Sequence, residues 1–164
     1  MRKKLTAVLA AAFFAVAVYA GTVLATPQGH VVTSTVAKAT FDEIDLNART
    51  IPADIWQARL KTRGQSDVYV IDNKFASGGT TGWHSHPGPS LIFVVAGTIT
   101  NYEGDDPSCT PHDYTVGQSF IDAGGKDSHM LRNNGSADAE TVAVQILPKD
   151  APRRIDVSPA PANC

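Results

Sequence analysis

The most regular feature of the chain is a series of short apolar runs, separated by turns that contain Gly and Pro, which begins near residue 67. The runs are rich in Val, Ile, Thr and aromatic residues, as is typical of β-strands. They cover residues 68–71, 83–86, 90–96, 98–102, 114–120, 128–132 and 141–147. Many short strands at such close spacing predict an all-β domain, a sandwich or a barrel, over residues 67–148.

The segments on either side of this domain have weaker patterns. Residues 26–66 are predicted to form a polar N-terminal arm with one or two strands, and residues 149–164 form a Pro-rich C-terminal tail. Within the arm, residues 52–60 fit a short helix, because Pro52 suits a first helical turn. They fit an extended segment about equally well.

The run at residues 90–96, SLIFVVA, is apolar on both faces. A strand of an antiparallel sheet that has one face in water should alternate between apolar and polar residues. We therefore expect the outer face of this strand to be covered, either by the N-terminal arm or by a second copy of the chain. The second alternative would make the protein a homodimer.

The first 25 residues have the three parts of a secretory signal peptide. A basic start at residues 2–4 precedes an apolar stretch at residues 5–24, and Val-Leu-Ala at residues 23–25 offers a cleavage site. The alternative is a retained membrane anchor, since the apolar stretch is nearly long enough to cross ~30 Å of hydrocarbon. The cleavage site and the lack of basic residues just after the stretch favour cleavage. We therefore expect a secreted or extracytoplasmic protein that has no membrane attachment after cleavage.

The charge of the chain argues against two classes of partner. The 164 residues carry 14 Lys and Arg against 16 Asp and Glu, a net charge of −2. Without the first 25 residues, 11 basic residues remain against the same 16 acidic ones, a net charge of −5 on 139 residues. A chain this acidic lacks the basic footprint that binds nucleic acids and anionic lipids, so neither is expected as a partner.

The two cysteines are Cys109, in a Pro-containing loop, and Cys164, at the C-terminal end. In an exported chain, an even pair of cysteines predicts a disulfide. Closing a loop of this size would contribute ~4 kcal/mol by the chain-entropy estimate, and it would hold the Pro-rich tail in place. The alternative is a pair of free thiols.

The candidate chemistry lies in the histidines. His84 and His86 are two residues apart in a predicted strand, so both imidazoles project from the same face. Two neutral imidazoles on one face, after a Gly-rich turn, can form half of a metal site. By itself such a pair is more often an incidental feature of the surface. His30 and His112 lie in polar arm and loop sequence and are expected to be solvated.

The residues around this pair resemble the two conserved motifs of the cupin superfamily. Gly78-x5-His84-x-His86-x3-Ser90-x6-Gly97 resembles the first motif, G-x5-H-x-H-x3,4-E-x6-G. Gly117-x5-Ala123-x-Gly125-x3-His129-x3-Asn133 resembles the second, G-x5-P-x-G-x2-H-x3-N. The resemblance covers about residues 68–147. It implies a small, single-domain, exported cupin whose fold is an antiparallel double-stranded β-helix, a jelly-roll barrel, with a metal held inside near one mouth.

The resemblance also implies a set of metal ligands: His84 and His86 from the first motif and His129 from the second. Ser90 stands where the motif has its glutamate, so the fourth-ligand position is lost. Ala123 in place of proline and one extra residue before His129 are smaller changes, of the kind that adjust a turn. A neutral site of three imidazoles suits Fe(II), Ni(II), Cu(II) or Zn(II), with its other positions open to water or substrate. It suits Mn(II) less well, because Mn(II) prefers oxygen ligands.

Two functions of different classes remain open. The resemblance implies an exported, dioxygenase-like metalloenzyme, in which a redox metal binds a small-molecule substrate and dioxygen at adjacent open positions. Some thiol dioxygenases and related cupins are similarly thought to use three histidines. The alternative is a non-catalytic extracytoplasmic cupin that binds a small ligand with or without a metal. The missing carboxylate and the lack of an identifiable acid–base pair near the motifs favour this alternative. No residue is identified as catalytic, and nothing in the sequence selects a substrate.

Overall fold

The computed structural model describes residues 27–51 and 55–164. These residues form β-strands and no helix, so none of them belongs to a helix long and apolar enough to cross a membrane. The predicted signal peptide, residues 1–25, lies outside the described residues. The strands are β1 (Gly29–Phe41), β2 (Asp45–Arg49), β3 (Gln57–Lys61), β4 (Ser66–Thr80), β5 (His84–Ser85), β6 (Ser90–Ala96), β7 (Thr98–Glu103), β8 (His112–Thr115), β9 (Ser119–Asp122), β10 (His129–Arg132), β11 (Ala139–Pro148) and β12 (Ile155–Asp156).

Ten of these strands form one antiparallel sheet that curls into a nearly closed barrel. Neighbouring strands follow the order β12-β5-β10-β4-β11-β6-β9, with β1 added to β4 and with β7 between β10 and β8. The long strand β4 connects the two halves of the barrel, because it pairs with β11 and its end, Thr80, pairs with Arg132 of β10. The predicted all-β antiparallel barrel is confirmed.

The segment that precedes the barrel strands is itself largely strand. β1 pairs with β4 from Gly29↔Thr80 to Phe41↔Ser66. β2 and β3 form a separate two-stranded hairpin. The sequence of residues 52–60 is compatible with a helix or an extended segment. The structure places residues 57–60 in β3, and residues 52–54 are outside the described residues.

Two predicted boundaries differ from the structure. The strand predicted at residues 114–120 is interrupted by a turn at Gly117, which has a φ of +86°, and it becomes the end of β8 and the start of β9. The Gly-rich turn predicted before His84, which spans residues 77–82 in the sequence, is shorter in the structure, because β4 continues to Thr80. Its last residues keep partners in β1 and β10, and such long-range pairing leaves no signal in the local sequence.

The interior contains two apolar clusters, to which β4, β6 and β11 all contribute. Alternate residues of each strand supply them, because successive side chains of a strand point to opposite faces. The first cluster is Phe75, Val94, Ile99, Leu131 and Ala139. The second cluster, Ile71, Ile92 and Ala143, borders the cavity described below.

The outer face of β6 is apolar and open to solvent. Leu91, Phe93 and Val95 are 37%, 42% and 45% exposed, whereas the residues between them face the interior. The described part of the N-terminal arm does not cover this face, because β1 lies along β4. Of the two alternatives expected from the sequence, coverage of this face by the N-terminal arm is therefore not observed among the described residues.

Candidate metal centre

The three histidines implied by the motifs lie together inside the barrel. His84 begins β5, and His86 follows it two residues later. His129 begins β10 and is the direct register partner of His84. All three side chains are buried, with 2–4% of their surface exposed. The structure thus brings together residues that are 45 positions apart in the sequence.

Two of the imidazoles are oriented by backbone carbonyls. His84 Nδ1 lies 2.9 Å from the carbonyl oxygen of Gly82, and His86 Nδ1 lies 2.6 Å from that of Arg153. A carbonyl oxygen can only accept a hydrogen bond, so both Nδ1 atoms carry the proton and donate it. The Nε2 atoms of His84 and His86 are then free to act as electron-pair donors, the state that a metal ligand requires.

The ring nitrogens converge as metal ligands would. One nitrogen from each ring lies within 4.8 Å of the others, and the Nε2 atoms of His84 and His129 are 3.1 Å apart. Two imidazoles on one ion, each about 2.0–2.2 Å from it, would have their nitrogens roughly 3 Å apart. Two nitrogen lone pairs that face each other at this distance repel unless a cation or a proton lies between them. The donor set therefore fits a divalent metal.

Burial keeps these imidazoles neutral. It lowers the pKa of His84 to about 2, with the charges of His129 and Arg154 acting in the same direction. Burial also lowers the pKa of His129 to about 4, although the carboxylate of Asp122 opposes the shift. The pKa of His86 is lowered for the same main reason. Neutral imidazoles are the form that binds metal ions.

Three buried polar atoms of the interior belong to His129 and to two residues that were not predicted from the sequence. His129 Nδ1, Asp122 Oδ2 and Asn101 Oδ1 are all buried and have no hydrogen-bond partner. Asp122 is the register partner of Ser90, so the two side chains project toward the same interior face. Glu103 is the register partner of His129. Burial raises the pKa of Glu103. The carboxylate of Asp122 acts on His129 through its charge, which favours the protonated imidazole, and the two side chains make no hydrogen bond.

The place of the motif's glutamate is taken by a neutral pair. Ser90 is fully buried, and its hydroxyl accepts a hydrogen bond of 3.2 Å from Gln145 Nε2. The same amide nitrogen lies 3.4 Å from His86 Nε2. The amide of Gln145 thus lies beside the imidazoles without supplying a negative charge.

These side chains border a small cavity, and none of the described residues that line it carries a carboxylate. It provides about 40 Å³ for the centres of water-sized molecules, which is room for roughly three waters. Besides the histidines, Ser90 and Gln145, it is bordered by the apolar residues Ile71, Ile92, Leu131 and Ala143, by Gln28, Thr33, Asn73 and Thr81, and by Arg153 and Arg154.

The two arginines come from the C-terminal tail, which packs against the histidine strand. Asp156 of β12 is the register partner of His84, and Val157 N donates a hydrogen bond of 3.0 Å to the carbonyl of Trp83. A disulfide joins Cys164, at the end of this tail, to Cys109, with their Cα atoms 5.3 Å apart. No periodicity in this Pro-rich segment could have indicated that it closes one side of the cavity.

Two other motif residues have structural roles. Gly125, which has a φ of +79°, donates a backbone hydrogen bond of 2.7 Å to the carbonyl of His86. Asn133 is buried, and its amide donates to the carbonyls of Phe75, Ala76 and Ala137. Gly125 therefore supports the backbone of His86, whereas Asn133 links the C-terminal half of β4 to the segment before β11. His112 is exposed at the start of β8, and His30 is exposed in β1.

Comparison with known proteins agrees with this architecture. The family model described as a cupin domain matches residues 73–145. No curated protein matches the sequence. An uncharacterised protein with a double-stranded β-helix domain from Klebsiella pneumoniae is structurally similar, with a TM-score of 0.51 at 17% identity over 79% of this chain and 87% of the other.

Two enzymes of known name have weaker structural similarity. An oxalate oxidase has a TM-score of 0.47 and 23% identity, over 55% of this chain and 46% of its own. The polyketide cyclase RemF from Streptomyces resistomycificus has a TM-score of 0.47 and 16% identity, over 57% of this chain and 64% of its own. The chain spans about half the length of the oxalate oxidase.

Proposed function

The chain belongs to the cupin superfamily, and from this premise we propose that it is an exported metalloprotein that holds one divalent transition metal on His84, His86 and His129. The observation that carries the proposal is the convergence of the three buried imidazoles, two of which have Nδ1 committed to a backbone carbonyl. Such a site holds Fe(II), Ni(II), Cu(II) or Zn(II), because these ions accept imidazole ligands readily.

We propose further that the site is that of a dioxygenase-like enzyme acting on a small molecule. His84, His86 and His129 would hold a redox-active divalent metal, which would supply the chemistry that activates dioxygen toward a bound substrate. The chain provides the surroundings: Ile71, Ile92 and Leu131 exclude water from one side, and the Ser90–Gln145 pair occupies the place of the missing carboxylate. The small cavity restricts the substrate, or its reacting end, to a few heavy atoms.

A second candidate function is the non-catalytic binding of a small ligand. It is favoured by the composition of the cavity wall, in which the described residues include no carboxylate and no general acid or base other than the imidazoles. Dioxygen consumption by the Fe(II)-loaded protein, measured with a panel of small organic acids, thiols and phenols, separates the two functions. Binding without dioxygen consumption supports the second.

Metal analysis tests the shared part of the proposal. Protein purified without a polyhistidine tag is expected to hold close to one equivalent of a transition metal, measured by mass spectrometry. His84→Ala and His129→Ala are expected to lose it, whereas His112→Ala, at an exposed position on β8, serves as the matched control and keeps it. Less than about a tenth of an equivalent in the wild type, with no metal-induced gain in thermal stability, would remove the basis of the proposal.

Export is proposed from the sequence of residues 1–25, and the Cys109–Cys164 disulfide supports it, because such bonds persist in oxidising compartments. N-terminal sequencing of the protein recovered outside the cytoplasm is expected to begin at Thr26. An intact N-terminus in a membrane fraction would instead indicate a retained anchor.

We also propose that the open apolar face of β6 is covered by a second copy of the chain. Val144 of β11, Leu91 of β6 and Ile121 of β9 are register partners and continue this face across three strands. Leu91 and Ile121 are 37% and 68% exposed. A contiguous apolar sheet face of this kind is typical of an interface between proteins.

A further inference from the structure

We propose that Arg153 forms an anion subsite beside the three histidines and that the ligand of this protein is a small carboxylate. The proposal deepens the proposed function by naming a ligand class. It rests on that function only in taking the metal as the second group that binds the carboxylate. The juxtaposition that carries it is an arginine without an acidic partner at the wall of a cavity that also contains three imidazoles.

The fold places the Arg153 side chain in the cavity wall by two contacts. Its backbone carbonyl accepts the hydrogen bond from His86 Nδ1, so its Cα lies close to a candidate metal ligand. Its Nη1 donates a hydrogen bond of 3.2 Å to Oε1 of Gln145. Because Gln145 is itself bonded to Ser90, the guanidinium lies next to the position that the motif's glutamate would occupy.

The charge of Arg153 has no acidic partner among the described residues. Their ion pairs include Arg154 with Asp156 at 2.6 Å, but none that involves Arg153. Arg154 also donates to the carbonyl of Thr81, so it is held in the tail. The Arg153 side chain is partly buried. A partly buried cation without an anion is unfavourable, and an anionic ligand would relieve this cost.

The balance of charge over the whole site points the same way. Three neutral imidazoles and the Ser90–Gln145 pair leave the charge of a divalent ion unopposed in the first coordination sphere. Among the described residues, Asp122 is the carboxylate whose charge acts on both His86 and His129, and it does not border the cavity. One carboxylate cannot neutralise a divalent cation and a guanidinium together. An anionic ligand supplies the charge that the motif's glutamate would have provided.

The geometry of the groups selects a carboxylate among anions. The planar fork of a guanidinium pairs with two oxygens of a carboxylate through two parallel hydrogen bonds. The free space is about 40 Å³, which corresponds to roughly three waters and therefore to a group about as large as acetate. Larger acids would have to keep the rest of the molecule outside the cavity.

A titration with acetate tests the proposal. ¹⁵N-labelled protein is titrated with acetate and with its neutral isostere acetamide, in the metal-free and the Zn(II)-loaded state, and binding is followed by NMR. Acetate is expected to bind at least about tenfold more tightly than acetamide, since charge-assisted bidentate hydrogen bonds distinguish the two. Arg153→Gln is expected to weaken acetate binding about 10- to 100-fold and to leave acetamide binding unchanged.

Two further variants keep the test decisive. Arg153→Lys retains the charge but lacks the fork, and it is expected to bind acetate with intermediate affinity. Arg132→Gln removes a cation from an exposed position on β10 and is expected to bind acetate like the wild type. Equal acetate affinity in the wild type and Arg153→Gln would overturn the proposal, and so would tighter binding of inorganic phosphate than of acetate.

Failure of this subsite and failure of the metal site give different results. If Zn(II) binds but acetate binding does not depend on Arg153, the subsite is wrong and the metal site stands. If Zn(II) does not bind but acetate binds the metal-free protein in an Arg153-dependent manner, the subsite stands and the metalloprotein proposal is wrong.

Discussion

The buried, neutral histidines predict a steep loss of stability when the metal-free protein is acidified. His84 and His129 have their pKa values lowered by burial to about 2 and about 4 in the folded state. In the unfolded chain, each returns to its ordinary pKa of about 6.5. Below this pH the imidazoles bind protons in the unfolded state but stay neutral in the folded state, so the free energy of unfolding decreases as the pH falls.

The size of the effect follows from this difference. The contribution of each such histidine to the free energy of unfolding is constant above about pH 6.5. Below that pH the free energy of unfolding falls by about 1.4 kcal/mol per histidine for every pH unit, until the pH reaches the pKa of that histidine in the folded state. At about pH 5 this gives roughly 2 kcal/mol per histidine, or roughly 4 kcal/mol for His84 and His129 together. His86 acts in the same direction. This loss is comparable with the whole stability of a small domain, which is about 5–15 kcal/mol.

Urea unfolding of the metal-free protein at about pH 7.5 and about pH 5 measures this difference. His129→Gln, which keeps a polar side chain but removes one titrating group, is expected to lose about 2 kcal/mol less between the two pH values than the wild type. His112→Gln, at an exposed position, is the control and should change nothing. A wild-type loss below about 1 kcal/mol would mean that the rings titrate as in water, and it would refute their burial as a neutral trio.

Three other variants test separate parts of the structure. Asp122→Asn removes the negative charge that acts on His86 and His129. It should weaken Zn(II) binding about tenfold, measured by competition with a chelating dye. An unchanged Zn(II) affinity would show that this carboxylate does not support the site. Cys164→Ser opens the disulfide to Cys109, whose sequence separation is 55. Chain entropy predicts a loss of ~4 kcal/mol in urea unfolding, and a loss below about 1 kcal/mol would show that the tail is held without it. Phe93→Lys places a charge on the open face of β6 and should convert a dimer into a monomer in light scattering, while a wild type that is already monomeric would contradict the proposed second copy.

Much of the fold and two thirds of the candidate ligand set follow from local rules. His84 and His86 are two residues apart in an extended segment, and this spacing alone predicts that they share a face. His129 could be added only through the resemblance of its surroundings to a known motif, because no local rule links positions 45 residues apart. The sequence of β6 is apolar on both faces and does not indicate which face is buried, whereas the structure places Ser90, Ile92 and Val94 inside.

The features that could not be predicted all depend on long-range pairing. Arg153 lies in the Pro-rich tail, and its place in the cavity wall depends on the pairing of β12 with β5 and on the contact between its carbonyl and His86. Asp122 lies next to Ala123 of the second motif, and an acidic residue before a turn is ordinarily solvated. Its burial follows from its register with Ser90, which only the folded sheet defines.

X-ray absorption spectroscopy of the Zn(II)-loaded protein tests most directly whether the three histidines hold the metal. The multiple-scattering features of imidazole count the rings bound to the ion. The structure predicts three imidazoles with nitrogen at about 2.0–2.2 Å, and two in His129→Ala. One imidazole or none, or a spectrum unchanged by His129→Ala, would contradict a metal centre built from His84, His86 and His129.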